Sequence, residues 1–535
     1  MAKQLSFFED EVRDGFYIPT AVKQAWNAGL DILEEIDRIC RKHGIEYFAA
    51  WGTLIAAIRH GGFIPWDDDI DICMKRQDYE KFKIICRSEL KDGFATFDYS
   101  NQDDHWYYIT RVVNTQHMNF SLEHLNEYYN FPYIACVDVF LLDYLYKDSD
   151  KEKKRDEEIK YIIALADSIY GEEISEIAQE KLISDLEKKY QIEFENFFQL
   201  DKRQKAVFLY SFAEKQMARV KEKDSEKLGY IFPWVLKGSQ GIDKTFYEKS
   251  IRVPYEMTTI PVPIAYQSVL ESCYGNYLAV QKAWGGHGYP FFEGQRKELQ
   301  KIADFKLPEF TFDKKLLPSR KKEGINSLEE LKRYKKTSKE TSIIRKALFV
   351  ITYKKSVESI SKWIELLKKN KIEISIFFAP TYRKDALGNI LTDKNNTIDW
   401  SLDEKSFFTK KANIIEYKKA IEDDFFYDYI FIQNPYDGEN SVLSIPESFY
   451  SKNLYEKCKK LIYIQPFEIE DFGENDLKNC YNMKHYVTAP AVLKADEVYV
   501  NTEKLREMYV KKLTEFAGRE YKGQFEEKVI SIDMC

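Results

Sequence analysis

The stretch Trp51–Met74 constrains the fold more than any other part of this chain. It reads WGTLIAAIRHGGFIPWDDDIDICM and holds four aspartates, Asp67, Asp68, Asp69 and Asp71, within otherwise apolar sequence. Carboxylates beside a buried strand raise the free energy of the folded state unless a cation or a hydrogen-bond donor meets them. The four side chains therefore either lie on a solvated turn or hold a metal ion.

The alternation of side chains along a strand decides which of these carboxylates can act together. In a strand, Asp69 and Asp71 point the same way, and Asp67 joins them if the strand begins early. Asp68 then points to the opposite face. Two carboxylates on one face form half of a site for a hard cation, and Mg²⁺ in particular prefers carboxylate oxygens together with the phosphate oxygens of a substrate. The sequence predicts a Mg²⁺ or Mn²⁺ site.

A third carboxylate is expected on a neighbouring strand. A strand-borne D-x-D that follows a small Gly-Thr turn, here Gly52 and Thr53, is typical of the nucleotidyltransferase fold, and the turn leaves room for a phosphate to approach backbone N–H groups. In YIACVDVFLLD, Asp138 lies among apolar residues, where a lone charge would be costly. Asp143 is the alternative, but we expect it to begin a turn at the end of the strand.

The pattern of elements predicts an α/β protein with two different sheets. Up to residue 317 the pattern predicts an α+β, nucleotidyltransferase-like mixed sheet with a charged helical insertion at about 150–230. The segment HMNFSLEHL, residues 117–125, is expected to be one of its strands. Residues 318–342 are polar and basic, which predicts a linker. From 343 to 535, short β-rich runs alternate with helices, which predicts a Rossmann-like parallel sheet that lacks both GxGxxG and a P-loop.

Composition narrows the class of protein and its location. The net charge of −8 offers no basic field for a nucleic-acid backbone, so we expect no nucleic-acid partner. No apolar run reaches the roughly 18 residues that a transmembrane helix needs, and the first residues lack the apolar core of a signal peptide. The eight cysteines form no CxxC pair, which fits reduced thiols. We expect a cytoplasmic protein, either free or attached peripherally to the inner face of the membrane.

Several segments together resemble one known family. YFAAWGTLIAAIRHGGFIPWDDDIDI and the preceding LEEIDRICRKHGI resemble the signature of the LicD family, which includes choline-phosphate transferases and is related to fukutin-type ribitol-phosphate transferases. HWYYITRVVNTQ, with Arg111, and VDVFLLD, with Leu141 where the family often has Pro, resemble later segments. YGNY at 274–277 is similar to the family's YGDY. The resemblance covers about residues 20–300, although WGGHGYPFF departs from the family's Pro-rich close.

The resemblance implies a reaction and a metal. It implies transfer of a phospho-alcohol, first of all phosphocholine, from a CDP-linked donor to a sugar hydroxyl, with release of CMP. The acceptor would be a glycan or lipid-linked glycan, as in capsule, lipopolysaccharide or teichoic acid precursors. Asp69, Asp71 and Asp138 would hold one or two Mg²⁺ or Mn²⁺ ions, and Asp67 would complete the shell or hold its waters.

The remaining site residues are assigned on the same basis. Gly52 and Thr53 would contact phosphate, and Arg59 and Arg111 would offer forked donors to its oxygens. Arg59 could equally form a structural ion pair with one of the aspartates. His60 is a candidate general base, although a surface histidine has a simpler explanation, and Asp138 or a metal-bound water could take the acceptor proton instead.

Other functions remain open from the sequence. The phospho-alcohol could be glycerol, ribitol or ethanolamine phosphate, the reaction could be nucleotidyl transfer from an NTP, or the chain could be a non-catalytic glycan-binding or scaffold protein. Residues 343–535, through YIFIQNPYDGENSVLSIPESFYSKNL and LIYIQPF, resemble the N-terminal half of CDP-glycerol glycerophosphotransferase-like proteins, which have a glycosyltransferase-B architecture. That architecture binds its nucleotide mostly in the other half, so we expect no second complete active site.

Overall fold

The chain folds into two compact units. The computed structural model describes residues 4–102, 108–282, 288–303, 309–319, 345–409, 412–417, 420 and 426–532. The first unit comprises Trp26–Met118 and Tyr133–His287. The second unit comprises Met1–Ala25, Asn119–Pro132 and Gly288–Cys535.

Strands and helices alternate along most of the described chain. The strands, numbered in chain order, are β1 Glu11–Arg13, β2 Phe16–Ile18, β3 Phe48–Ala49, β4 Asp71–Lys75, β5 Ala95–Phe97, β6 Thr110–Val113, β7 Cys136–Leu145, β8 Lys227–Gly229, β9 Ile242–Asp243, β10 Ser250–Tyr255, β11 Thr258–Pro263, β12 Lys346–Ile351, β13 Glu373–Phe378, β14 Thr381–Lys384, β15 Ile390–Leu391, β16 Thr397–Ile398, β17 Asn413–Ile414, β18 Tyr427–Ile432, β19 Leu443–Ser444, β20 Cys458–Ile464, β21 Glu497–Val500 and β22 Val529–Ser531. The α-helices are α1 Thr20–His43, α2 Trp51–Ile55, α3 Arg76–Glu89, α4 Leu122–Glu127, α5 Ser149–Tyr170, α6 Glu176–Tyr190, α7 Lys202–Met217, α8 Tyr266–Tyr274, α9 Phe292–Ile302, α10 Val357–Lys369, α11 Leu402–Thr409, α12 Ser451–Tyr455, α13 Leu477–Tyr486, α14 Pro490–Lys494, α15 Glu503–Ala517 and α16 Lys522–Lys528.

The first unit is built on a mixed sheet in the order β3-β4-β7-β6-β5. β4 and β7 are adjacent and parallel, whereas β3 joins β4 antiparallel and β6 joins the other side of β7 antiparallel. The middle residues of β4 are buried, as is most of β7, because these apolar runs lie at the centre of the sheet. β8 extends the sheet by pairing with the far end of β7. The prediction of a mixed sheet is confirmed.

The charged segment after β7 forms a helical insertion, as predicted. α5, α6 and α7 pack around their own apolar core. Each helix begins at a side chain that accepts hydrogen bonds from the first free backbone N–H groups, and these caps are Asp148, Ser175 and Asp201. Caps of this kind stabilise a helix by about 1 kcal/mol each. The many charged residues of the segment therefore lie on solvated helix faces around a separate small core.

The second unit contains a seven-stranded, all-parallel sheet in the order β17-β13-β12-β18-β20-β21-β22. Numbered by sequence, its first six positions follow the doubly wound order 3-2-1-4-5-6. Alternate residues of β12 lie in two different cores. Leu348 and Val350 belong to one core, and Phe349 and Ile351 belong to the other. The sheet is thus covered on both faces, as parallel sheets generally are. The predicted Rossmann-like architecture is confirmed.

One element of the second unit was predicted wrongly. Residues 117–125 were expected to form a strand, but Leu122–Glu127 forms α4. Ser121 precedes this helix and its hydroxyl accepts a hydrogen bond from the backbone N–H of His124 at 3.3 Å. A serine cap of this kind favours a helix even where apolar and polar residues alternate.

The predicted division into 1–317, 318–342 and 343–535 stays a prediction. Residues 320–342 of the predicted linker lie outside the described residues. The described packing places Tyr17 and Leu317 in the same apolar core as the residues of the parallel sheet. Both ends of the segment 1–317 thus contribute to the second unit. Among the residues that the structure describes, every helix is too short or too polar to cross a bilayer.

Candidate active site

Two aspartates face each other at the centre of the first unit's sheet. Asp71 is the first residue of β4 and lies opposite Asp138 of β7 in the parallel register. The backbone N–H of Asp138 donates to the carbonyl oxygen of Ile70 at 3.0 Å, which fixes this register. Both side chains are only partly exposed. Residues in register on adjacent strands point to the same face, so the two carboxylates share one side of the sheet.

The other aspartates of the motif lie before the strand, which corrects the sequence-based expectation. Asp69 was expected to alternate with Asp71 on a strand, but β4 begins only at Asp71. Residues 64–67 form a turn, in which the N–H of Asp67 donates to the carbonyl oxygen of Ile64 at 2.9 Å, and residues 68–70 are irregular. Asp68 is buried, with 3% of its surface exposed, and its N–H donates to a carboxylate oxygen of Asp67 at 3.2 Å. The turn, and not strand alternation, therefore sets the directions of these side chains.

Gly52 and Thr53 are positioned by a short helix and not by the expected turn. Both lie in α2. A Cβ atom on Gly52 would lie 3.2 Å from Oδ2 of Asp67, so the absence of a side chain lets this carboxylate approach the helix. The hydroxyl of Thr53 is buried and accepts a hydrogen bond from the N–H of Asp71 at 2.8 Å. Thr53 thus holds the residue on which the site is centred, and its contact with phosphate stays a prediction.

The carboxylates act on one another. Burial and the nearby carboxylates of Asp69, Asp138 and Asp67 raise the pKa of Asp71 well above its usual value, and the guanidinium of Arg111 opposes the increase. Such a rise reflects the free-energy cost of keeping several negative charges close together in a partly buried place. A bound cation would offset that cost.

Arg111 pairs with the third carboxylate. It lies on β6 opposite Asp138, and its Nε and Nη2 atoms donate to the two oxygens of that carboxylate at 2.8 and 3.3 Å. The Arg111 side chain remains 44% exposed, so one side of the guanidinium faces solvent. The arrangement neutralises Asp138 while leaving donors of Arg111 accessible to a phosphate.

Asp143, the alternative to Asp138 as the third carboxylate, belongs to a buried ion pair. Asp143 was expected to begin a turn, but it lies within β7 and is 2% exposed. Nε and Nη2 of Arg76 donate to its two oxygens at 2.8 and 2.7 Å, and Nη1 of Arg76 donates to Glu214 at 2.8 Å. Asp143 is therefore bound in a buried ion pair, whereas Asp138 faces Asp71.

Arg59 and His60 lie on the π-helical turn Ala56–His60 that follows α2. Nε of Arg59 donates to Nε2 of His60 at 2.9 Å, and Nη1 donates to the carbonyl oxygens of Tyr277 and Ala279 at 2.9 and 3.3 Å. A ring nitrogen that accepts a hydrogen bond is unprotonated, so these contacts favour neutral His60. The same contacts tie the turn to the residues after α8. The roles predicted for Arg59 and His60 stay predictions.

Two tyrosines near the carboxylates were not foreseen. Burial raises the pKa of Tyr255, and the carboxylates of Glu256, Asp67, Asp69 and Asp71 raise it further. The hydroxyl of Tyr255 is buried and has no hydrogen-bond partner among the residues that the structure describes. Tyr274, at the end of α8, has a pKa raised by burial, Cys273 and three of the same aspartates. Only the YGNY segment, which begins at Tyr274, gave any sign of this in the sequence.

The donor set suits a hard cation that arrives with phosphate. Within the described parts of the chain, no group of three or more His, Cys, Asp or Glu side chains is already assembled as a metal cage. Mg²⁺ needs no such cage, because it keeps several waters and binds through one or two carboxylates plus substrate phosphates. Asp71 and Asp138, with Asp67 and Asp69 beside them, offer oxygen ligands of that kind. The residues present therefore fit Mg²⁺ or Mn²⁺.

Comparison with known proteins identifies the same region. Residues 44–159 match the family model described as LicD/FKTN/FKRP, nucleotidyltransferase domain. Lipopolysaccharide cholinephosphotransferase LicD of Haemophilus influenzae is 53% identical over 65 residues, which are 12% of this chain and 24% of that protein. An uncharacterized protein of Rickettsia prowazekii is 38% identical over 90 residues, 13% of this chain and 34% of that protein. An uncharacterized protein of Rickettsia typhi is 37% identical over 54 residues, 10% of this chain and 18% of that protein. The chain thus spans between 18% and 34% of the lengths of these curated relatives.

Proposed function

We propose that this chain transfers phosphocholine from a CDP-linked donor, because it belongs to the LicD family through its nucleotidyltransferase domain at residues 44–159. The acceptor is a sugar hydroxyl of a surface polysaccharide, lipopolysaccharide or teichoic acid precursor, and CMP is released. The observation that carries the proposal is the pair of carboxylates, Asp71 and Asp138, in register on adjacent parallel strands. The relative from Haemophilus influenzae, a cholinephosphotransferase, supports choline as the alcohol.

The residues suit phosphoryl transfer, which depends on positioning and charge neutralisation more than on covalent catalysis. Asp69, Asp71 and Asp138 would hold Mg²⁺ or Mn²⁺, with Asp67 beside them. The ion, when bound, neutralises charge on the phosphates. Thr53 keeps Asp71 in place through the hydrogen bond to its N–H. Gly52 keeps the approach to Asp67 open.

The transfer itself forms one bond and breaks one. The acceptor oxygen attacks the phosphorus that carries the choline, and the bond from that phosphorus to the bridging oxygen of CMP breaks. Arg111 has an exposed guanidinium beside Asp138 and would donate to the phosphate oxygens. The acceptor proton leaves to a base, for which Asp138 and His60 are the candidates in this chain. His60 is favoured in the neutral form by its contact with Arg59.

The family description also favours a second candidate function. A nucleotidyltransferase domain can transfer a nucleotide from an NTP, and the same carboxylates would serve that reaction. CDP-glycerol, CDP-ribitol and CDP-ethanolamine are alternative donors for the first reaction. A lipid-linked acceptor would place the protein at the cytoplasmic face of the membrane.

A thermal-shift panel tests the proposal. The full chain is heated with Mg²⁺ and, in turn, CDP-choline, CDP-glycerol, CDP-ribitol, CDP-ethanolamine, CTP and ATP. A ligand at a hundred times its dissociation constant stabilises the folded state by about 2.7 kcal/mol. We expect a Mg²⁺-dependent shift with CDP-choline that is lost in Asp71→Asn and kept in Asp92→Asn, which changes an exposed carboxylate of the same unit. A shift with CTP or ATP alone supports nucleotidyl transfer, and no shift with any compound contradicts both functions.

A further inference from the structure

Four aromatic side chains form a cluster in the first unit. The ring of Trp51 lies 4.5 Å from that of Tyr230, 5.2 Å from that of Trp234 and 6.0 Å from that of Phe140, measured between centroids. The planes of Trp234 and Phe140 are inclined to that of Trp51 by 66° and 72°. Rings that meet at such steep angles pack edge to face, so the planes of the three rings point in different directions. We call these four residues the aromatic corner.

The aromatic corner is open to solvent on one side. Trp234 is 40% exposed, Trp51 and Phe140 are partly exposed, and Tyr230 is buried. Aromatic side chains usually bury most of their large apolar surface, so three partly exposed rings in contact suggest a binding surface. The ammonium group of Lys237 already lies 5.7 Å from the centre of the Trp234 ring. This ring therefore already makes a cation–π contact within the protein.

The backbone places the aromatic corner next to the candidate active site. Phe140 is two residues after Asp138 on β7, and the partial exposure of both, on either side of buried Val139, shows that they share a face. Two residues along a strand span roughly 6–7 Å. Trp51 directly precedes Gly52, which faces the carboxylate of Asp67. A two-carbon spacer would thus be long enough to connect a phosphate bound at the carboxylates to a group bound at the rings.

Trp51 itself has two unusual features. Its φ angle is +47°, in the left-handed region that non-glycine residues rarely adopt. A residue is held in such a conformation only where the surrounding structure fixes it, and this is often at a ligand site. Its indole N–H is buried and has no acceptor among the described residues. An oxygen atom of a ligand could accept this hydrogen bond.

The chemistry of the rings decides what the corner binds. The faces of aromatic rings carry partial negative charge, which attracts cations. A positively charged, weakly hydrated group gains from contact with these faces, whereas the hydroxyl groups of glycerol or ribitol would lose water against the rings. We propose that the aromatic corner binds the quaternary ammonium group of the transferred alcohol. This inference rests on the proposed function and selects choline among the alcohols.

The experiment compares donors that differ only at the ammonium group. Calorimetric titration of the full chain with Mg²⁺ is done with CDP-choline, with CDP-ethanolamine, and with the CDP ester of 3,3-dimethylbutanol, in which carbon replaces the quaternary nitrogen. CMP serves as the ligand without an alcohol. The variants are Trp234→Leu and Phe140→Leu, and the control is Phe198→Leu, which changes an aromatic residue that is 50% exposed in the helical insertion.

We expect the wild type to bind CDP-choline at least about tenfold more tightly than the neutral ester, since cation–π contacts in a partly desolvated site have about this strength. Trp234→Leu and Phe140→Leu should each reduce that preference roughly fivefold and leave CMP binding unchanged, and Phe198→Leu should change neither.

Equal binding of CDP-choline and the neutral ester by the wild type overturns the inference. So does an equal loss for both esters in Trp234→Leu, which would indicate an apolar or sugar-stacking surface. Tight binding of CDP-glycerol or CDP-ribitol without CDP-choline also overturns it, but leaves the proposed transfer of a phospho-alcohol standing. If no CDP-alcohol binds and CTP does, the proposed function fails first, and the two failures are thereby distinguished.

Discussion

Replacing Asp71 by asparagine should stabilise the metal-free protein and at the same time abolish its metal-dependent binding. Asparagine keeps the shape of the side chain and removes its negative charge. In the wild type, Asp71 and Asp138 lie in register, so their two negative charges face each other. Burial and the carboxylates of Asp69, Asp138 and Asp67 raise the pKa of Asp71, so its charged form destabilises the folded state at neutral pH. A residue kept for binding a cation thus costs stability when the cation is removed.

The expected size follows from the spacing of the strands. Adjacent strands lie about 4.8 Å apart, which places the carboxylates of Asp71 and Asp138 about 5 Å from each other. Two like charges at that distance repel by about 3 kcal/mol at an effective dielectric constant of 20, and by about 1 kcal/mol in water. Arg111 offsets part of this through its 2.8 Å bond to Asp138. We therefore expect a gain of about 1–2 kcal/mol, which raises the Tm of a unit of this size by about 3–6 °C.

The assay is calorimetric melting of the full chain, first with EDTA and then with Mg²⁺ and CDP-choline. Wild type, Asp71→Asn and the exposed control Asp92→Asn are compared. In EDTA, Asp71→Asn should melt above the other two, because a surface substitution such as Asp92→Asn changes stability by no more than about 0.5 kcal/mol. With Mg²⁺ and CDP-choline, the other two should gain stability and Asp71→Asn should not. If Asp71→Asn melts below the wild type in EDTA, or keeps the ligand-dependent gain, the reasoning is refuted.

Three further changes test the packing around the site and a distant buried group. Gly52→Ala places a Cβ atom 3.2 Å from the carboxylate of Asp67, and such overpacking costs about 1–3 kcal/mol, so titration should show affinity for CDP-choline with Mg²⁺ reduced by roughly five- to 150-fold. Unchanged affinity contradicts the close approach. Arg76→Met leaves the buried Asp143 without its bidentate partner and should lower the free energy of unfolding in urea by about 3–5 kcal/mol, whereas a loss below 1 kcal/mol would mean that the pair is dispensable. Burial lowers the pKa of His485 to about 3, while the unfolded value is about 6.5, so stability is lost as pH falls from 6.5 toward 3. At pH 5 the loss is about 2 kcal/mol relative to pH 7, and melting of His485→Phe should not show it.

The sequence predicted the carboxylates better than their geometry. Asp71 and Asp138 could be found because each lies beside or within an apolar run, where an unpaired charge is costly. The register that brings them together depends on pairing between β4 and β7, which are separated by some sixty residues of chain. Asp69 was misplaced because alternation was assumed from the start of the motif, whereas residues 67–70 are irregular and β4 begins only at Asp71.

The long parallel strands of the second unit could be predicted because they are buried on both faces and read as continuous apolar runs. Its smaller four-stranded sheet, β14 with β15, β16 and β19, was not foreseen. Two-residue strands such as Ile390–Leu391 carry no periodicity that a sequence pattern could reveal. Nor could the pattern show that Tyr17 belongs to the core of this unit, because that contact spans most of the chain.

The aromatic corner shows a further limit of sequence patterns. Its four rings come from positions 51, 140, 230 and 234, and this chain has 37 Tyr, 36 Phe and 8 Trp residues. No spacing distinguishes these four from the others. Only the fold brings α2, β7 and the segment after β8 together, by pairing Gly229 of β8 with Asp143 of β7.

Strand β7 is the element that links the two parts of the proposal. Its partly exposed face carries Asp138 and then Phe140, so a single extended backbone holds a proposed phosphate-side ligand and a wall of the proposed alcohol site at a fixed separation. A strand at the centre of a sheet is among the least deformable elements of a fold, since both edges are hydrogen-bonded. Discrimination between alcohols would then come from the fixed distance between the carboxylate of Asp138 and the ring of Phe140. A donor whose cation lies nearer to or farther from its phosphate would reach only the phosphate site or only the aromatic corner.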